Sequence, residues 1–138
     1  MHLVPKQPTV KNPPEQFTGD VWLDVLASPQ GDGQHMTVGT VRFLPGARTA
    51  WHSHPNGQTL HVTEGVGLVQ SRGGEILEIH AGDTIYTPPG EEHWHGATPD
   101  SYMEHLAMLE VGTPADVPAG WGAHVTDEEY NGPRRPRD

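Results

Sequence analysis

The chain has 138 residues, which suits one domain with a core of its own. Its 18 acidic and 8 basic residues give a formal charge of −10, which argues against a nucleic-acid partner, because phosphate binding needs a basic face. There is no cysteine, so disulfides and thiolate metal ligands are excluded together, and no apolar run approaches the length of a membrane span.

The opening MHLVPKQPTV has no apolar run that would serve as a secretion signal, and the absence of cysteine is compatible with a reducing cytoplasm. Pro5, Pro8, Pro13 and Pro14 predict an extended arm over residues 1–17. Short apolar runs then recur at even spacing. Strands are predicted at 21–25, at 36–43 (ended by Leu44-Pro45-Gly46), at 49–54 and at 59–63 (ended by Glu64-Gly65). A Gly73-Gly74 turn joins 67–71 to 75–79, and further strands follow at 84–87, 92–97 and 102–111. Many short strands separated by turn residues imply an all-β sandwich or barrel, here one domain over 18–112. In the C-terminal segment, 113–138, Thr126-Asp-Glu-Glu129 has capping-box spacing and predicts a short helix with Thr126 as N-cap; a solvated acidic turn is the alternative. The basic run Arg134-Arg135-Pro136-Arg137 reads as a frayed end.

The chemistry concentrates at His52-Ser-His54. Residues two apart on a strand share a face, and Gln58 keeps that parity if the strand resumes after the Pro55-Asn56-Gly57 turn. With His93 downstream, this is a donor set for one first-row divalent metal. A chain with 10 histidines makes such pairs by chance, and the surrounding glycines and prolines decide for a site. One block reads Gly46, five residues, His52-x-His54, three residues, Gln58, six residues, Gly65. A second reads Gly82, five residues, Pro88-x-Gly90, two residues, His93.

In these two blocks the chain resembles the cupin superfamily. Gln58 stands where most cupins carry glutamate, and Ala97 where an asparagine often closes the second motif. The runs Pro45 to His54, Gly57 to Leu60, Pro89 to Gly96, Met103 to Ala107 and His124 to Glu128 are similar to small bacterial monocupins of the manganese-dependent hydroxynitrile lyase type. The resemblance implies a jelly-roll barrel (double-stranded β-helix) and a lyase that cleaves or forms cyanohydrins.

A ligand set of His52, His54, Gln58 and His93 is neutral, so a bound ion keeps its charge of about +2. A glutamate would cancel one unit, so the neutral set makes the stronger Lewis acid. Four donors on an octahedral ion leave two positions open, whereas a closed structural zinc site uses a tetrahedron, usually with cysteines. Manganese or iron is the expected ion, with nickel, cobalt, copper or zinc able to intrude.

His95 shares the facing of His93 and is either an acid/base group or a hydrogen-bonded buried histidine. His105 is the other acid/base candidate, on a face with Met103, Ala107 and Leu109, and an apolar pocket can hold its pKa near neutrality. Gly39, Val41 and Phe43 share a face of the 36–43 strand, so Gly39, Val41, Phe43, Ala107 and Leu109 form the expected pocket; plain core packing is the alternative, and the default for Val41 and Leu109. His61 and His80 are expected outside the site, and His2, His35 and His124 carry no signal. Trp51 and Trp94 face away from their histidine neighbours and are expected on the barrel exterior or in a subunit interface.

Two other functions compete with the lyase: a non-haem metal-dependent oxygenase, and a small-molecule binding module without turnover. A homodimer or homotetramer is expected, because open sheet edges need covering and the arm can add to a neighbour's sheet.

Overall fold

In the computed structural model, which describes residues 1–112 and 120–137, the alternating segments form strands and the acidic C-terminal stretch forms one turn of helix. In chain order the strands are β1 (Val10–Lys11), β2 (Phe17–Thr18), β3 (Val21–Ala27), β4 (Met36–Phe43), β5 (Arg48–Thr49), β6 (His52–Ser53) and β7 (Gln58–Ser71). Then come β8 (Ile76–His80), β9 (Thr84–Thr87), β10 (His93–Ala97), β11 (Met103–Glu110), β12 (Gly120–Trp121), helix α1 (Asp127–Tyr130) and β13 (Arg134–Arg135).

β7 belongs to two sheets. Its first half pairs with β11 and β9, in a sheet that continues from β11 through β4 and β3 to β1. Its second half pairs with β10 and β8, in a sheet that adds β5 and β2 beyond β10, β6 and β12 beside them, and β13 beyond β8. The two sheets therefore curl into a half-barrel. The sequence predicts two strands broken at Glu64-Gly65, but the chain bends there without stopping. Gly65 has φ of 78°, and a Cβ on it would sit 1.8 Å from the Tyr102 carbonyl oxygen, so no side chain fits where β7 changes sheets.

Inside the half-barrel, Val21, Val41, Phe43, Leu60, Val62, Val69, Ile79 and Met103 are buried together. A second apolar cluster of Trp51, Leu68, Ile76, Trp94, Val125 and Tyr130 lies on the other face of the β7–β8–β10 sheet. Trp51 and Trp94 do face outward, but they are 3% and 0% exposed because the C-terminal segment covers them. That segment is held by polar contacts. Thr126 and Glu129 form the reciprocal capping box, at 3.1 and 2.9 Å. Buried Arg48 donates to the Val125 carbonyl at 2.8 Å, pairs with Asp127 at 2.9 Å, and lies 4.4 Å from the Tyr130 ring centroid. The Tyr130 hydroxyl donates to the Ala97 carbonyl.

Both ends of the chain are tied down. Val10–Lys11 and Phe17–Thr18 of the arm pair with β3 and β5 of the same chain, whose edges offer unpaired backbone groups. The basic tail is not frayed: β13 runs parallel to β8, Arg134 pairs with Glu78 at 3.4 Å and Arg137 with Asp83 at 2.7 Å. Residues 113–119 of the C-terminal segment lie outside the described residues.

Trp94 is fully buried, so Trp94→Ala should lower unfolding free energy by about 3–5 kcal/mol in a urea titration. Thr126→Ala should cost only about 1 kcal/mol, the usual scale of a lost cap. A smaller loss for Trp94→Ala than for Thr126→Ala would mean that the cap, not the covered tryptophan, holds the C-terminal segment.

Candidate metal centre

The site begins as a cross-strand pair. In the β6–β10 register His52 stands opposite His93, and their ring centroids are 4.3 Å apart. The His54 ring is 5.0 Å from His52 and 5.7 Å from His93. Gln58 opens β7 after the turn and is buried beside them. The four expected donors thus come together from β6, the turn after it, β7 and β10.

Hydrogen bonds set the tautomers. His52 donates from Nδ1 to the Ala50 carbonyl at 2.9 Å, and His93 from Nδ1 to the Glu91 carbonyl at 3.0 Å. Each neutral ring is left with a bare Nε2, the arrangement by which a backbone acceptor orients a metal-binding imidazole. Gln58 Oε1 lies 3.3 Å from His93 Nε2, so with the amide in this orientation two acceptors face each other, which suits a shared cation. His54 Nε2 is buried without a hydrogen-bond partner. These donors fit a divalent ion.

The electrostatics agree. Burial pushes the His54 imidazole down to about 4, and His93 beside it adds to the shift. His52 and His95 are held well below the ordinary imidazole range, first by burial and then by neighbouring rings, and burial lowers His93 as well. Neutral imidazole is the ligating form.

His95 comes closer than the sequence implies. One ligand nitrogen from each of His52, His93 and His95 lies within 4.8 Å of the others, a three-histidine group able to hold an ion. His95 Nδ1 is 2.9 Å from His105 Nε2, and His95 Nε2 has no partner. His105 is completely buried behind His95, with the Phe43 ring 5.3 Å away, and burial pushes its pKa down to about 4 rather than near neutrality.

A cleft of about 210 Å³ opens at the centre, lined by His52, His54, Gln58 and His95 together with Val41 and Ala107. Of the other expected pocket residues, Phe43 lies beneath the His95 and His105 rings rather than on the cleft. Leu109 lines a separate recess that also reaches Gln58. Gly39 leaves no room of its own, because Leu23 from the adjacent strand fills the space: a Cβ on Gly39 would lie 2.9 Å from Leu23 Cδ1. Sequence reasoning missed Asn12, Gln16, Phe17 and Trp121, which also line the cleft. Trp121 stacks on His52 at 4.6 Å and 18°, and Phe17 lies 5.8 Å from Trp121. His61 and His80 lie apart, bonded to Thr84 and Glu78.

The chain matches the cupin-domain family over residues 39–109, the span that carries His52, His54, Gln58, His93, His95 and His105. It belongs to the cupin family. This cupin is 48% identical to an (R)-mandelonitrile lyase of Granulicella tundricola over 129 residues, 92% of this chain and 95% of that one. It is 42% identical to a cupin-like protein of Thermotoga maritima, with a TM-score of 0.81 over 87% of this chain and 89% of that one. A cupin-2 domain of Rhodospirillum rubrum shares the fold at 18% identity, with a TM-score of 0.70 over 84% and 75% of the two chains. Among the described residues no helix is long and apolar enough to cross a membrane.

The depressed histidines have a consequence for stability. Their folded values lie below the unfolded value of about 6.5, so below that pH the unfolded chain binds more protons. Their contribution is complete above about pH 6.5 and is lost as pH falls toward 4. The urea midpoint of the metal-free cupin should drop between about pH 7 and pH 5, with more than one proton taken up on unfolding. An unchanged midpoint would show that the rings are solvated in the folded state.

Proposed function

We propose that this cupin is a metal-dependent lyase of the hydroxynitrile class, splitting a 2-hydroxynitrile into an aldehyde and hydrogen cyanide or running in reverse. The observation that carries the reading is a donor set without a carboxylate at the head of a small, largely apolar cleft; it is supported by 48% identity to a protein named (R)-mandelonitrile lyase. His52, His54, Gln58 and His93 would hold one divalent ion, with manganese or iron favoured. When bound, that ion supplies positive charge for the hydroxyl or nitrile of the substrate.

The chain's own residues supply proton transfer and a dry site. His95 lines the cleft and its Nε2 has no hydrogen-bond partner, so with the ring proton on Nδ1 it is the group placed to take the hydroxyl proton. As the C–C bond to the nitrile carbon breaks, its electron pair leaves with cyanide. The proton on His95 Nε2 is then returned to give hydrogen cyanide, and the hydroxyl carbon becomes the aldehyde. His105, the first candidate from sequence, acts through His95. Its Nε2 lies 2.9 Å from His95 Nδ1, and in the tautomer proposed here it accepts the His95 Nδ1–H and so leaves His95 Nε2 free to take a proton, which makes it a positioning residue. Val41, Ala107, Leu23, Phe17 and Trp121 line the cleft with apolar surface, and a substrate seated against them would displace water and strengthen the charge interactions inside. We place this activity in the cytoplasm, in a homodimer or homotetramer acting on a small molecule. Exposed Met36 and Tyr86 provide apolar surface for a second copy.

His52→Ala should lose both metal, by elemental analysis, and cyanide release. His95→Ala should keep its metal and lose activity by a factor of roughly a hundred or more. If His95→Ala loses the metal while His54→Ala retains it, His95 is a ligand and its role as base is withdrawn. Gln58→Glu should keep the metal and slow cyanohydrin cleavage, because the added carboxylate cancels one unit of charge at the site. Oxygen uptake with aromatic substrates and no cyanide release would replace the lyase by an oxygenase.

A further inference from the structure

A cleft of about 540 Å³, larger than the one of about 210 Å³ lined by His52, His54, Gln58 and His95, lies elsewhere in the half-barrel. It opens on the other side of the histidine cluster and meets it only at His93. Leu60, Val69, Leu77 and Ile85 make its apolar wall, and its size is within the range of about 300–1,000 Å³ common for small-molecule sites.

One cation reaches into this cleft, and the sheet register puts it there. His95 is opposite Val69, Val69 opposite Leu77, and Leu77 opposite Arg135. Residues in register across a sheet share a face, so Arg135 lies at the end of a row that begins at the histidine cluster. Arg42, Arg48, Arg72, Arg134 and Arg137 each have a carboxylate partner. Arg135 makes no ion pair among the described residues, although the chain carries 18 acidic residues. Glu75 stands at the same mouth, but it is exposed and makes no ion pair with Arg135. A guanidinium without an ion pair at the edge of an apolar cleft suits an oxyanion on an apolar body, and with no second Lys or Arg in the lining and Glu75 at the mouth a singly charged carboxylate suits it better than a phosphate.

We propose that this second cleft binds a small organic carboxylate, with its head on Arg135 and its apolar body against Leu60, Val69, Leu77 and Ile85. The site is separate from the proposed lyase cleft and does not depend on that reading.

The test is calorimetric titration of the full-length protein, as purified with its metal, with 3-phenylpropionate and its neutral amide. The carboxylate should bind at one site per chain and the amide at least about tenfold more weakly. Arg135→Met should weaken the carboxylate by a similar factor. Leu77→Glu, which places a carboxylate directly opposite Arg135 in the register, should abolish binding. Trp121→Ala, on the other cleft, should leave the affinity unchanged. Because Arg135 and Leu77 are both exposed, the two variants keep the core, which an unchanged melting temperature verifies. Equal binding of acid and amide, or binding lost in Trp121→Ala and kept in Arg135→Met, overturns the proposal; the second result would place the carboxylate at the histidine cluster.

Discussion

Four imidazoles, those of His52, His93, His95 and His105, are buried side by side in this half-barrel with the half-buried His54 beside them, and among the described residues no carboxylate hydrogen-bonds to any of them. Charging even one would place a cation in a dry site beside its neighbours' rings, so burial keeps the rings neutral. The rest of the site follows from that constraint. Neutral rings are oriented by hydrogen bonds and packing rather than by ion pairs, and the backbone carbonyls of Ala50 and Glu91 and the stacked Trp121 ring provide them. Bare nitrogens facing one another have no partner within the protein, and a cation satisfies several at once. The same environment that makes the cluster sensitive to acid makes it a receptive metal centre.

The scaffold holds this arrangement by covering β10 on both faces. His93 and His95 point into the half-barrel, while Trp94 points the other way, under the C-terminal segment. Every residue of β10 is buried, so the histidine-bearing strand has little freedom to move. Arg48 and the capped turn at Thr126 therefore serve the metal centre from a distance, by keeping the lid on Trp94 closed.

Local rules made much of this readable in the sequence. Period-two facing brought His52, His54 and His93 to one side, turn residues marked most strand ends, and the Thr126–Glu129 spacing gave a real capping box. What escaped depends on contacts between distant segments. A glycine at 39 reads as space, but Leu23 from the adjacent strand occupies it. Parity gave His95 and His105 the same inward facing, yet it says nothing of depth, and it is depth that puts His95 on the cleft and His105 behind it. Trp51 and Trp94 faced outward as read, and only the docked C-terminal segment makes that face an interior. Trp121 gave no local signal, because its partner His52 lies far back in the chain.

The pairing of Phe17 with Trp121 beside His52 also orders events during synthesis. One ring comes from the arm before the first long strand and the other from beyond the last, so the two walls meet only when the strands between them have been made. A nascent chain can lay down its histidines early and still lack the cleft that shelters them. Closure of the cleft therefore follows the making of every proposed ligand, because Trp121 comes after His52, His54, Gln58 and His93 in the chain.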